Sequence, residues 1–305
     1  MEQIHKDLLA QVADLHQVPE GAYNIRQNGQ SVGRQSSANI QIETKADGTG
    51  IDIIIAPNTK KESVHIPVIL SQSGLKEVVY NDFHVGENCD VTIVAGCGIH
   101  NSGTEDAEHS GIHRFFLGEN ATVRYVEKHY GQGDGNGKRI MNPTTEMTLA
   151  KKSRLEMETT QIKGVDSTKR VSRATLEEGA TLIIKEKLMT HGNQVATTEF
   201  TVDLNGPDSH AHLISRSVAK DRSQQTFLSR MNGNTRCTGR SECDAIIMDD
   251  ASVGAIPQVI ANSTDASLVH EAAIGKIAGE QLNKLMTLGL SEQEAEEQIV
   301  AGFLK

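Results

Sequence analysis

A turn-and-strand unit recurs along this chain. It reads V-G-E-N-C-D-V from Val85, L-G-E-N-A-T-V from Leu117, L-A-K-K-S-R-L from Leu149 and L-E-E-G-A-T-L from Leu176. Shorter echoes are M-D-D-A-S-V from Met248 and S-T-D-A-S-L-V from Ser263. The early copies lie about 27 to 32 residues apart. In each, an apolar residue leads into a polar turn, a small residue follows, and a strand begins. No helical period separates the copies. A repeat of this length with strands between its turns predicts a β-solenoid in which each copy adds a layer and the small residue sits where the coil bends inward. A β-sandwich is the alternative that the uneven spacing leaves open.

The intervening segments alternate with a period of two. Ile40 and Ile42 begin this pattern, Ile51 to Ile55 continues it, and Val64, Ile66 and Val68 follow, with Pro67 marking an edge or bend. Between Gly111 and His129, Val123, Tyr125 and Glu127 share one face, and Arg124, Val126 and Lys128 the other. Both termini read as helical. Ile4, Leu8, Leu9, Val12 and Leu15 are spaced for a helix ending before Pro19, which would pack on the body or on a partner. After Glu271, the residues Ile274, Ile277, Leu282, Leu285 and Met286 form a second helical stripe stopped by Gly289. Ser291 and Glu294 form a capping box for a last helix carrying Ala295, Ile299 and Phe303. The expected organisation is an N-terminal helix and linker over residues 1–37, a solenoid core over 38–271 and a helical segment over 272–305.

Composition narrows the function. A net charge of -10 without a basic block argues against nucleic acid. Trp is absent and aromatics are 3% of residues, low for a carbohydrate or peptide groove. No apolar run suits a signal peptide or a membrane span, so the chain reads as cytoplasmic, with its four cysteines as reduced thiols. The run G-Q-G-D-G-N-G-K-R from Gly131 to Arg139 departs from a P-loop in its glycine spacing and in the residue after the lysine, and reads as a turn.

The stretch from Cys237 to Glu271 concentrates the chemistry. Cys243 lies in R-S-E-C-D at a strand entrance, and His270-Glu271 closes the strand-like region. A thiol, an imidazole and a carboxylate can each bind iron or, for the thiol, accept sulfur. A buried structural cysteine and a capping His-Glu pair are the plainer readings. Cys97 sits in V-A-G-C-G-I-H, and with His100, His109 and His113 it makes a weaker candidate zinc cluster.

Residues 71–303 resemble the SufB/SufD family of iron–sulfur cluster assembly scaffolds. The resemblance is carried by C-D-A-I-I-M, L-V-H-E-A-A-I-G-K-I and L-G-L-S-E-Q-E-A-E-E-Q-I-V-A-G-F, with A-T-V-R-Y-V-E-K-H agreeing. It implies a right-handed parallel β-helix with terminal helices, a scaffold rather than an enzyme, and ATP hydrolysis in SufC, an ABC-type ATPase bound through the C-terminal helices. It further implies pairing along β-helix ends, as a homodimer or a SufB/SufD-type heterodimer, and sulfur supplied by a cysteine desulfurase system. The cargo would be a transient iron–sulfur cluster, with a reduced flavin as a candidate component of the complex. The family's essential cysteine falls on Cys243, its essential acid on Glu271 and the neighbouring histidine on His270. The cysteine that first takes sulfur falls on Cys97, and a tunnel position that holds Gln in SufB falls on His129. Val269 stands where SufB carries an acid, and no Trp fills the aromatic tunnel position. Two rivals follow: a SufD-like assembly subunit without its own cluster, and a β-helix enzyme acting on polysaccharide.

Overall fold

A computed structural model describes residues 3–13 and 19–305. Successive strands alternate between two ten-stranded sheets, so that the chain climbs as a β-solenoid. The first sheet runs through Lys60–Leu70, Asp90–His100, Thr122–Gln132, Arg154–Lys163, Thr181–Thr190, Ser209–Ala219, Cys237–Ile247 and Ala266–Gly275, each parallel to the next. The second sheet carries the strands between them, from Gly50–Ile55 to Ser252–Ala261. The only antiparallel pairs among the described residues close the N-terminal end: Ala22–Gln27 with Gln30–Gln35, and Ile40–Thr44 with Gly50–Ile55. The first pair lies inside the stretch expected to be linker, and the second opens the expected core.

The repeat seen in the sequence is the corner of the coil. Its turn residue takes the left-handed conformation in every copy but the last: Asn88, Asn120, Lys152, Gly179 and Asp249 all have φ between 55° and 64°. Asn and Gly tolerate this region best, which explains their recurrence. The corners stack by backbone hydrogen bonds of 2.8–3.0 Å, from Asn88 N to Glu119 O, Asn120 N to Lys151 O and Lys152 N to Glu178 O. The small residue that follows each turn points inward: Cys89, Ala121, Ser153 and Ala180 are buried. The apolar residue before the turn forms an internal ladder of Val85, Leu117, Leu149, Leu176 and Leu204, in register from coil to coil. Each coil therefore supplies the same side-chain set at the same height, and the core grows by stacking.

The helix Gln3–Ala13 packs on the outer face of the first sheet. Leu8, Leu9 and Val12 are buried against Ile25 and Ile69; Ile4 and Leu15, counted in the same stripe, lie outside the described side chains. The glycines flanking Cys97 make this docking possible. A Cβ at Gly96 would stand 2.2 Å from the Val12 carbonyl oxygen, so helix and strand meet backbone to backbone. Gly96→Val should lower stability by roughly 1–3 kcal/mol through overpacking. Urea denaturation would measure it, and limited proteolysis should find Gln3–Ala13 newly cleavable.

At the other end the reading of a helix from Ala272 is corrected. The strand Ala266–Gly275 runs on past Glu271, with Ala272 paired to Cys243 and Ile274 to Ala245, and the helix spans only Gly279–Met286. Ile274 fits either period, and its pairing with Ala245 of Cys237–Ile247 decides for the strand. The last helix, Glu292–Phe303, has the expected capping box: Glu294 N donates to the Ser291 hydroxyl, and Ser291 N to the Glu294 carboxylate. Gly289 has φ +97°, as its place after a helix end requires. No helix among the described residues is long and apolar enough to cross a membrane.

Candidate functional site

A closed coil of this kind should be apolar inside, and near the turn corners it is. Phe83 and Phe115 stack at 4.6 Å, and Tyr125 meets Phe115 edge-on at 5.1 Å. Further along the strands, the inward positions turn polar and ionic. From the second sheet, Glu77, His109, His113 and Arg170 point inward; from the first, Glu127, His129, Gln161 and Glu186 do so, and all are buried. Cys97 is 5% exposed and stands in register with His129, which stands in register with Gln161.

These groups are bound together. Arg170 Nη1 donates to Glu127 at 2.7 Å, and Arg170 Nε lies 3.7 Å from Glu186. Glu186 accepts from Thr198 and Ser215, each at 2.8 Å. Tyr125 donates to Glu127 at 3.0 Å and is 2.7 Å from His113 Nδ1. Burial alone would raise the Glu127 carboxyl, yet Arg170 and His129 hold it well below the ordinary carboxylate range. Burial in the midst of this cationic cluster brings His113 down to about 4, so it sits neutral.

Within the first sheet the inward positions Glu127, Thr159, Glu186, Ser215 and Cys243 fall in one register column, coil after coil. All are buried. A polar column thus begins beside Cys97 and His129 and ends on Cys243. The strands of the two cysteines are five spacings apart in the sheet, or about 24 Å at roughly 4.8 Å per spacing. Their thiols differ sharply. Burial would push the Cys97 thiol up, but the charge of His109 and hydrogen bonds from His109 and His129 bring it down to about 7. The Cys243 thiol is pushed up to about 12 by burial, with Glu186 and Asp244 adding to the effect.

Of the residues singled out in the sequence, the fold brings Cys97 and His129 together and places Cys243 and His270 on the same inner face. His270 is in register with Ser241, one strand over and two residues along from Cys243. Its Nδ1 is buried without a hydrogen-bond partner. Glu271 is the exception. It is in register with Glu242, faces outward, and is bound by Arg240 at 2.7 Å. With its side chain 56% exposed, Glu271→Gln should change stability by less than about 1 kcal/mol, measurable by thermal unfolding.

Within one chain Cys243, His270 and Glu271 are not all in mutual ligand reach, nor are Cys97, His100, His109 and His113; among the described residues only Asp52, Asp82 and His84 form such a group. There Lys45 already sits between the two carboxylates, at 2.5 and 2.7 Å. His100 instead contacts Ser102 at 2.8 Å. The Gly131–Arg139 run lines a cleft of about 710 Å3 at the strand ends beyond His129. Arg139, the residue that breaks the P-loop pattern, clamps Asp166 through two hydrogen bonds of 2.7 and 2.9 Å.

Glu77, Arg170, Glu186 and Ser215 were not singled out from sequence. Their signal was there as a breach of alternation. Glu186 takes the third place in the inward set Leu182, Ile184, Glu186, Leu188, where a fourth aliphatic residue is expected.

A parallel β-helix with four buried cysteines and a polar column running from beside Cys97 to Cys243 defines a solenoid that keeps its thiols inside the coil. Residues 71–303 match the family model described as SUF system FeS cluster assembly, SufBD core domain. The chain therefore belongs to the SufBD family of iron–sulfur cluster assembly proteins. It is 28% identical over 279 residues to an iron–sulfur cluster assembly SufBD family protein of Pyrococcus horikoshii, covering 90% of this chain and 83% of that one. To a family member from Methanocaldococcus jannaschii it is 26% identical over 246 residues, covering 80% and 77%. To iron–sulfur cluster assembly protein SufB of Bacillus subtilis it is 37% identical over 103 residues, 32% of this chain and 22% of SufB.

Proposed function

We propose that this chain is a scaffold for building iron–sulfur clusters, taking in sulfur at Cys97 and assembling the cluster at Cys243 near the open end of the solenoid. The observation that carries this reading is the buried polar column from the Cys97 cluster to Cys243. Buried charges are costly in a core that apolar side chains could fill, so their alignment between two thiols calls for a functional explanation. Sulfur arrives as a persulfide on a cysteine desulfurase system and moves within the coil. His270 shares the inner face with Cys243 and offers a second ligand for iron. One thiol and one imidazole are too few for a cluster, so a second scaffold chain completes the set.

The end of the coil suits that pairing. Its final strands expose Ile256, Val259, Val269 and Ile274, by 38–52%, on a sheet edge that is open to further strands. The C-terminal helices, with Met286 and Leu288 exposed, offer a docking face for an ABC-type ATPase of the SufC kind, whose nucleotide cycle would shift the population of open ends. The outward orientation of Glu271 favours a second reading, a SufD-like subunit that pairs with a cluster-bearing chain. Anaerobic reconstitution with the ATPase partner separates the two. Cys243→Ala should reduce bound iron and sulfide to background, with His270→Ala intermediate; unchanged content in Cys243→Ala would remove the cluster site from this chain.

A further inference from the structure

Cys97 is held by more than the column that leads away from it. His109 approaches the thiol from the opposite sheet, near enough for its charge to act on it. The other side of its ring faces Glu77, with Nδ1 3.5 Å from Glu77 Oε2. Neither of those two atoms has a hydrogen-bond partner, and both are buried, so the ion-pair contact is what each one has. Glu77 is fixed in turn by Arg26, whose Nε and Nη2 donate to Oε1 at 2.9 and 2.5 Å. His109 and Glu77 are register neighbours on adjacent strands, so the backbone ladder sets their spacing. Between His109 and His113 stands Gly111, whose missing side chain leaves room for both rings: a Cβ there would lie 3.3 Å from His109 Nε2 and 3.0 Å from His113 Nε2. A nucleophile, a base and a carboxylate that orients the base, in that order, are the parts of an activated thiol.

We propose that Cys97, His109 and Glu77 form a nucleophile–base–orienter set that makes Cys97 the attacking group toward a persulfide donor. This deepens the reading of Cys97 as the sulfur entry point and rests on it. The Cys97 thiolate attacks the outer sulfur of a donor R–S–SH. A new Cys97 Sγ–S bond forms and the donor S–S bond breaks. The electron pair of the broken bond leaves with R–S⁻, which takes the proton held by His109. The products are Cys97–S–SH and R–SH, with no net oxidation or reduction. His129, in register with Cys97, is the second imidazole that acts on the thiol. The charged and titratable groups around the set are Arg26 and Glu77 on one side, and His113, Tyr125, Glu127 and Arg170 on the other. His109 is raised to about 10 by Cys97 and Glu77 against the effect of burial. The pair is therefore thiolate–imidazolium between about pH 7 and pH 10, whereas Cys243 stays a neutral thiol across that range.

The test uses the full chain and glutathione persulfide as donor. Far-ultraviolet thiolate absorbance is titrated in the wild type, in His109→Gln and in Glu77→Gln, with Cys97→Ser as the blank. Mass spectrometry then follows the gain of one sulfur atom on Cys97. The expected wild-type result is a thiolate that forms near pH 7 and is absent from the blank. In His109→Gln its midpoint should move up by at least about one unit, and loading near neutral pH should slow at least about tenfold. Glu77→Gln should shift both in the same direction by less. A wild-type midpoint near the ordinary thiol value, or loading of His109→Gln at the wild-type rate and midpoint, would overturn the proposal. If His109→Gln fails to fold, Glu77→Gln alone decides: unchanged midpoint and rate count against the set. The broader reading fails separately, since fast loading of Cys97 with no onward transfer would leave this inference intact and remove the sulfur path.

Discussion

Arg170→Met should lower the unfolding free energy by roughly 3–5 kcal/mol, because it leaves two buried carboxylates without their shared cation. Arg170 is the bridge between Glu127 and Glu186, and all three side chains are buried. Urea denaturation near neutral pH measures the loss. The triple variant Arg170→Met, Glu127→Gln, Glu186→Gln should recover much of it, since neutral amides do not require a counter-charge. The pH dependence supplies the sign. Glu127 ionises in the folded wild type well below its ordinary value of 4.5. Its contribution is thus fully present above about pH 4.5 and is lost as the pH falls through the lower folded value. In Arg170→Met the folded carboxyl titrates higher, so the difference between variant and wild type should shrink as the solution is acidified. A loss below about 1 kcal/mol at neutral pH would mean that the ion triad is open to water.

Phe115→Ala should cost about 3–5 kcal/mol. Phe115 is fully buried, stacked on Phe83 and edge-on to Tyr125. Its removal leaves a cavity that the stacked coils above and below cannot close without breaking register. The effect should reach the ionic cluster, because Tyr125 carries the hydroxyl shared between His113 and Glu127. Phe115→Leu, which keeps most of the volume, should lose less than half as much. Chemical denaturation of both variants provides the comparison; equal losses would show that the ring stack is incidental to the core.

The solenoid was legible because its corner is a local event. A left-handed turn residue and an inward small residue must recur in every coil, and Asn88-Cys89, Asn120-Ala121 and Gly179-Ala180 satisfy that need within a few positions. The inward side of Glu127 was legible too, since alternation with Val123 and Tyr125 fixes it. What alternation cannot supply is the partner across the coil. Arg170 meets Glu127 only because 43 residues of chain bring the opposite sheet over it. The two closing residues of the strand-like region show the same limit. His270 and Glu271 are neighbours in sequence and read as one pair, yet a strand sends them to opposite faces. The terminal helix was placed too early because Ile274 suits both periods until a neighbouring strand claims it. The glycines around Cys97 carry no local sign of their use, since Gly96 makes room for Val12 of a helix that lies 84 residues earlier in the chain.

The central claim is that sulfur entering at Cys97 travels inside the coil to Cys243. It is tested most directly by loading the protein anaerobically from a cysteine desulfurase with isotopically labelled cysteine and locating the label by mass spectrometry over time. In the wild type the label should appear first on Cys97 and later on Cys243; in Cys243→Ser it should stop at Cys97, and in Cys97→Ser neither position should acquire it. Label reaching Cys243 in Cys97→Ser as fast as in the wild type would contradict an internal route.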